Sequence, residues 1–241
     1  MSSSQSVWTH LLGKRSNQPE LIDGSDYSRD EYVASLGDLR WVNRSLGGRR
    51  ALEKYFFPML KKYAGSRPLR ILDVGTGSGD LPIEIVKWAS ANGINVQLTI
   101  IDNNQLAASE ALRMTKDFEE INVIRADAMQ LPFPEAGYDF VIASLFLHHF
   151  ETPAAARLIA EFRRIARRAV IINDLRRHVI AYFGIKLLTS LLTSNRLVRH
   201  DAALSVLRAF KDSDVQEIAE LAGVRLDALR SFPFRLVMIS R

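Results

Sequence analysis

Between Arg70 and Asp174 short apolar runs alternate with amphipathic stretches. The runs Arg70–Val74, Val96–Asp102, Asn122–Arg125, Tyr138–Ala143 and Ala169–Asn173 are brief and rich in valine and isoleucine. That pattern predicts strands of a parallel sheet covered on both faces. Between them, Asp80–Ala91, Gln105–Thr115 and Ala154–Ala166 space their apolar residues as helices do. Strands and helices in alternation imply right-handed crossovers and a doubly wound α/β sheet. Ligands of such sheets lie beyond the C-terminal strand ends.

The flanks read differently. Residues 1–28 are polar and predict a loose arm, and Asp26–Leu36 predicts a short helix. After the break at Gly47-Gly48, Arg49–Ala64 sets Leu52, Tyr55, Phe56, Met59, Leu60 and Tyr63 on one helical face, with a kink or split expected at Pro58. Beyond Asp174, His178–Thr193 is mostly apolar and interrupts the alternation. Asp212–Leu221 predicts a helix that Asp212, Ser213 and Asp214 can cap and Gly223 ends. Val224–Leu229 and Phe234–Ile239 then predict an antiparallel hairpin that completes a mostly parallel sheet of seven strands. The expected organisation is one structural domain. It comprises an arm and N-terminal helices over 1–66 and a core over 67–241, with a helical insertion at about 176–210.

Composition narrows this. The chain has 241 residues, is 47% hydrophobic and 24% charged, and so can build a full core. It has no cysteine, which excludes disulfides, cysteine–zinc and iron–sulfur sites and cysteine nucleophiles. The first eight residues lack the basic region and apolar stretch of a secretory signal, and no apolar run approaches the roughly 20 residues of a spanning helix. A cytoplasmic protein is expected. The net charge of +5 invites anionic partners, nucleic acid among them, although solubility alone accounts for it.

The chemistry gathers at strand ends. Ile71-Leu72-Asp73-Val74-Gly75-Thr76-Gly77-Ser78-Gly79-Asp80 runs from strand through three alternate glycines into a helix. Backbone N–H groups collect at such a turn and bind ligand oxygens. Dinucleotide folds show G-x-G-x-x-G; here the spacing is G-x-G-x-G, and Asp73 and Asp80 flank the turn where a pyrophosphate would be repelled. Acidic neighbours suit a ligand carrying an ammonium and a sulfonium. Asp102, at the tip of the second strand, can accept both hydroxyls of a ribose. Asp127, just past the third strand, can accept from an adenine amino group while the next backbone N–H reaches a ring nitrogen.

The order D-x-G-x-G-x-G, I-D, A-D-A, L-P-F, Y-D-F-V resembles the class I S-adenosylmethionine-dependent methyltransferases, most of all the small-molecule branch that includes quinone-ring C-methyltransferases. The likeness covers Arg70 to about Asp174. It implies a Rossmann-like fold and S-adenosyl-L-methionine as cofactor. Asp73, Gly75 and Gly77 would hold its methionine portion, Asp102 the ribose, and Asp127 with Ala128 the adenine. Thr76, Gly79 and Asn103 stand beside them as cofactor-binding positions, and Ser144 would line the methyl-transfer face.

The acceptor end is less defined. Leu147-His148-His149 follows the fourth strand, where methyltransferases acting on planar nitrogens commonly show Asp/Asn-Pro-Pro-Tyr/Phe. Either imidazole can deprotonate a hydroxyl or enol, or else cap a helix or pack the wall. Asp174, with His178 nearby, can orient such a base, bind a substrate hydroxyl or cap a helix. Arg163, Arg164, Arg167 and Arg168 read as the end of a helix, complementing its dipole. The apolar stretch Val179–Leu192 and the N-terminal helices can roof an apolar pocket, with core packing or transient membrane-surface contact as alternatives. The sulfonium supplies the electrophile, so no metal is required. The expectation is methyl transfer to oxygen or carbon of an apolar, aromatic, quinone- or polyketide-like small molecule. RNA methylation, nicotinamide oxidoreduction and a cofactor-binding module without turnover are the alternatives.

Overall fold

A computed structural model describes residues 12–241; the reading of residues 1–11 lies outside the described residues. The described residues form one sheet of seven strands. These are β1 (Leu69–Val74), β2 (Val96–Asp102), β3 (Ile121–Arg125), β4 (Tyr138–Ser144), β5 (Ala166–Leu175), β6 (Asp227–Ser231) and β7 (Arg235–Ser240). Their order is β3-β2-β1-β4-β5-β7-β6. β1 to β5 run parallel, and β7 lies antiparallel between β5 and β6. The chain steps outward from β1 to β3, then returns to β4 on the other side of β1. A crevice therefore opens at the C-terminal ends of β1 and β4.

Alternate residues feed two cores. Leu72, Val74, Val141, Val170 and Ile172 pack with Leu158, Ile159 and Phe162 of α6 (Thr152–Ile165) and with Val215 and Ile218 of α9 (Asp212–Ala222). The other face buries Ile71, Phe140, Ile142 and Ile171 against α4 (Asp80–Ala91) and the helical segment before β1. α5 (Gln105–Thr115) connects β2 to β3. The three central strands bury both faces almost completely, which is why they read as continuous apolar runs.

Before β1 the chain forms α1 (Arg29–Ser45), α2 (Gly48–Ala51), a π-helical turn at Leu52–Phe56 and α3 (Phe57–Tyr63). The expected kink at Pro58 is this wide turn, which precedes a residue that has no N–H to give. α1 extends well past the expected Leu36, because Val42 and Leu46 have an apolar neighbour in Ile185. It stops at Gly47, whose φ is +85° and where a Cβ would lie 2.6 Å from the Phe232 carbonyl oxygen.

Two expectations are corrected. Residues 12–28 are tied down rather than loose: Leu12 is buried, Ser16 N–H donates to the Leu207 carbonyl at 3.0 Å, and Arg15 donates to Arg208 and Phe150 carbonyls at 2.7 and 2.9 Å. Arg167 and Arg168 belong to β5, since α6 ends at Ile165 and Ala166 is already paired with Tyr138. Arg67, Arg167 and Arg168 converge there on the buried Asp139 carboxylate, at 2.7, 3.7 and 3.3 Å. This ion-pair cluster sits at the N-terminal end of the parallel strands, away from the crevice.

Candidate active site

Above the crevice lie α7 (Val179–Leu192), α8 (Arg196–Arg208) and α1, which with the arm close a cavity of about 420 Å³. Its floor is the glycine turn. Gly75, Gly77 and Gly79 all have positive φ, of 70°, 57° and 75°. A Cβ on Gly75 would strike the Phe146 ring at 2.1 Å and one on Gly79 would press Thr115 at 3.1 Å, so packing demands those two. At Gly77 a Cβ would meet only Leu36, at 3.9 Å, and would stand in the cavity. Gly77 thus leaves its backbone open to the cavity.

Carboxylates surround this floor. Burial pushes the Asp73 carboxyl up to about 7, the nearby Thr76 hydroxyl opposes that rise, and Asp80 and Asp102 add to it. Burial raises Asp80 and Asp102 as well. Asp102 accepts from Gly77 N–H at 3.0 Å and from Asn104 N–H at 2.9 Å, which fixes its two oxygens at the rim of the turn. A site whose buried acids are all raised by desolvation fits an ammonium or sulfonium group and opposes phosphate.

The opposite end holds two histidines on a short 3₁₀ turn, Leu147–His149. Leu145 precedes them with φ of +52°, a conformation that a leucine adopts only at a cost. His148 Nδ1 lies 2.7 Å from Asp174 Oδ1, and Asp174 Oδ2 accepts His148 N–H at 3.1 Å. Burial alone would raise the Asp174 carboxyl, but the His148 imidazole holds it below the usual range. With Nδ1–H given to Asp174, His148 presents its Nε2 lone pair to the cavity. His149 Nδ1 meets Asp23 Oδ2 at 2.9 Å. Burial would lower the His149 ring, yet Asp23 and Glu20 push it up to about 9. Raised in this way, His149 is a poor proton acceptor at neutral pH.

Asp73, Gly75, Thr76, Gly77, Ser144, His148 and His149 all face the one cavity. Gly79 and Asp102 support its floor, and Asp174 stands behind His148 as the partner of its ring and of its N–H. His178 is the cap: its Nδ1 accepts Ile180 N–H at 3.2 Å. Asn103, Asp127 and Ala128 are outside the cavity wall. Asp127 is exposed and accepts Met129 N–H at 2.9 Å, because β3 is an edge strand two places from β1. An adenine there would rest on an outer rim rather than within the cavity.

Three groups escaped the sequence reading. Glu20 comes from the arm and is 4% exposed. It is placed by Asp201 of α8, whose carboxylate accepts Leu21 and Ile22 N–H at 2.8 and 2.9 Å. Arg208 of α8 bonds the His148 carbonyl at 3.0 Å and lies 3.7 Å from Glu20. Arg235, 1% exposed, donates to the Leu46 carbonyl and to Asn43 at 2.9 Å each, leaving its buried Nη1 without a partner in the cavity wall. Only the mixture of arginine with apolar residues in β7 hints at it, and no local motif marks Glu20.

Residues 71–169 match the family model of a methyltransferase domain. The chain is 36% identical over 129 residues to the ubiquinone/menaquinone biosynthesis C-methyltransferase UbiE of Rickettsia bellii, a match covering 52% of this chain and 49% of the relative. It is 31% identical over 121 residues to 27-O-demethylrifamycin SV methyltransferase of Amycolatopsis mediterranei, covering 48% and 43%. The chain thus spans about half the length of the curated relatives it matches. Human N-acetylserotonin methyltransferase, solved with S-adenosylmethionine, superposes on it with a TM-score of 0.66 at 18% identity, over 100% of this chain and 67% of that one. The fold is that of class I methyltransferases.

Proposed function

We propose a methyl-transfer function for this chain, whose residues 71–169 carry a methyltransferase domain of the class I fold: it moves a methyl group from S-adenosyl-L-methionine to oxygen or carbon of an apolar, hydroxyl-bearing aromatic or quinone-like molecule. One observation carries this reading. A single cavity joins the acid-ringed glycine turn to His148, which Asp174 backs, with apolar side chains of α1, α7 and α8 over both. The names of the relatives agree, since one is a quinone C-methyltransferase and another methylates a hydroxyl of rifamycin.

Bound at the turn, S-adenosylmethionine supplies a methyl group on an electrophilic sulfonium. Asp73 would hold its ammonium and Gly77 would leave room for the chain beside it. The outward lone pairs of Asp102 would accept its ribose hydroxyls. The roof excludes water and holds the acceptor in line, where most of the acceleration of a displacement arises. His148 Nε2 takes the acceptor proton, and Asp174 balances the imidazolium that forms. Arg235 Nη1 is a free, buried donor for a second oxygen on the acceptor ring, which favours oxygenated rings over plain hydrocarbons.

No helix of the described residues is long and apolar enough to cross a membrane. Ile180, Phe183, Leu187 and Leu191 nevertheless form an exposed stripe on α7, suited to transient contact with a lipid surface that holds an apolar acceptor. The RNA alternative loses its basic patch, since Arg67, Arg167 and Arg168 share Asp139 and Arg164 pairs with Glu161 at 2.5 Å.

Calorimetric titration of S-adenosylmethionine into wild type and Asp102→Ala tests the cofactor. Binding that weakens in the variant is expected; no heat with wild type, or unaltered affinity in the variant, sinks the assignment. Labelled methyl offered with hydroquinones, free phenols and RNA then tests the acceptor. Label in RNA alone would overturn it.

A further inference from the structure

We propose that Glu20, His148 and His149 form a binding site for a first-row divalent cation of the zinc or cobalt type. One ligand atom from each, a Glu20 carboxylate oxygen and an imidazole nitrogen of each histidine, lies within 4.8 Å of the others. His148 Nε2 is 3.5 Å from Glu20 Oε1, and His149 Nε2 is 4.0 Å from Glu20 Oε2. Ligand atoms about 2.0–2.1 Å from a tetrahedral ion lie roughly 3.4 Å from one another, so modest side-chain rotation closes the set.

Two independent features single it out from an ordinary ion pair. Glu20 Oε1 and His148 Nε2 are fully buried and neither makes a hydrogen bond, an arrangement that native interiors seldom leave unused. Both imidazoles are also oriented from behind. His148 Nδ1 is held by Asp174 and His149 Nδ1 by Asp23, at 2.7 and 2.9 Å, which aims each Nε2 at the same point. A carboxylate on the far nitrogen of a ligating histidine is how metal sites fix ring orientation and raise ligand basicity. Here it occurs twice.

Charge and donor type agree. Glu20, Asp23 and Asp174 surround the point with three carboxylates, against the two guanidinium groups of Arg15 and Arg208. Those arginines spend hydrogen bonds on backbone carbonyls of the arm, the histidine turn and α8. Two imidazoles and one carboxylate suit zinc, cobalt, nickel or iron, whereas magnesium and calcium prefer all-oxygen sets. All three side chains face the cavity, so a bound ion keeps an open coordination position there. Methyl transfer from a sulfonium requires no metal, and the ion that Glu20 completes a ligand set for is separate from that chemistry.

One consequence rests on the methyl-transfer reading. The ion occupies the His148 nitrogen that would take the acceptor proton, so a loaded protein lacks its base and a chelator restores turnover.

The site itself is tested without turnover, by titrating cobalt(II) chloride into the full chain and following visible absorption. The expected result is saturation at one equivalent, with bands of low-coordinate cobalt that zinc displaces. Glu20→Gln and the double variant His148→Ala/His149→Ala should abolish the bands. Asp23→Asn, which touches no ligand atom, should weaken binding about 10- to 100-fold. Circular dichroism establishes the fold of each variant. No band with wild type overturns the site, as does full affinity in folded Glu20→Gln; should that variant not fold, full affinity in Asp23→Asn overturns it. Failure of methyl transfer would leave these readouts untouched, so the two proposals fall separately.

Discussion

The floor of the cavity draws its chemistry from one stretch of chain, Asp73 to Asp102, while its reactive end is assembled from Glu20, Asp23, His148, His149, Asp174, Arg208 and Arg235. At the floor, glycine conformation and strand-end acids are set by adjacent elements of the sheet, and a sequence pattern suffices to specify them. At the reactive end the arm, α8, the 3₁₀ turn and two strands must meet. Each contributes a side chain whose neighbours lie far away in sequence. On the proposed reading, the first end holds the cofactor and the second selects the acceptor.

If the two ends are as separable as they look, the largest effect comes from the reactive end. Replacing His148 and His149 together by Ala should lower kcat by about 10²- to 10⁴-fold, the usual worth of a positioned base. Cofactor affinity by calorimetry should stay near wild type. Asp174→Asn should share most of the loss in kcat, because its amide can hold His148 in the wrong tautomer. Full activity in the double variant rejects the base. A large fall in cofactor affinity would show instead that the ends are one coupled site.

A smaller effect is expected at the floor. Asp73→Asn should weaken S-adenosylmethionine by about 10- to 100-fold, as the loss of one charged hydrogen-bonded contact does. It should also change stability in the opposite sense. The folded Asp73 carboxyl is raised from 3.8 to about 7, so the folded chain holds a proton that the unfolded chain gives up. That contribution to stability is complete below pH 3.8 and is lost as pH rises through about 7. Without ligand, Asp73→Asn should therefore melt higher than wild type at pH 7.5 and flatten the decline between pH 4 and 7. Ligand binding by wild type should strengthen over the same range. A melting temperature that falls in the variant would mean that Asp73 is a structural acid and not a ligand's counter-ion.

The same contrast explains what was legible in the chain beforehand. Period and composition gave the five parallel strands, the terminal hairpin and the turn at Gly75–Gly79, because strands buried on both faces and positive-φ glycines leave local marks. The arm was misread, since residues 12–28 are polar and owe their order to Asp201, Arg208 and Leu207, whose relation to them no local pattern carries. Glu20 was invisible for that reason. Asp127 carried a family role but lies at the outer rim, where strand order rather than motif decides what a cavity reaches. Arg167 and Arg168 were assigned to a helix because an arginine-rich helix end is commonplace. Their attachment to Asp139 appears only when β4 and β5 are side by side.

That last cluster supplies the mildest test, at the end of the sheet where no ligand is expected. Asp139 accepts two bonds from Arg67, at 2.8 and 2.7 Å, and one from the Arg70 N–H at 3.0 Å. Burial would raise its carboxyl, but Arg67, the Arg70 N–H and Arg168 hold it down at about 2. The sign is thus opposite to that of Asp73. The stability it contributes is present above pH 3.8 and is lost as pH falls through about 2. Its arginine partners are largely exposed and screened by solvent, so Asp139→Asn should cost only a few degrees of melting temperature at neutral pH. The loss should shrink in high salt and disappear near pH 2. Cofactor affinity, cobalt binding and kcat should not move, since parallel strands separate this cluster from the crevice by their whole length. A change in any of these three would mean that the two ends of the sheet communicate, and that the division between a locally written floor and an assembled reactive end is incomplete.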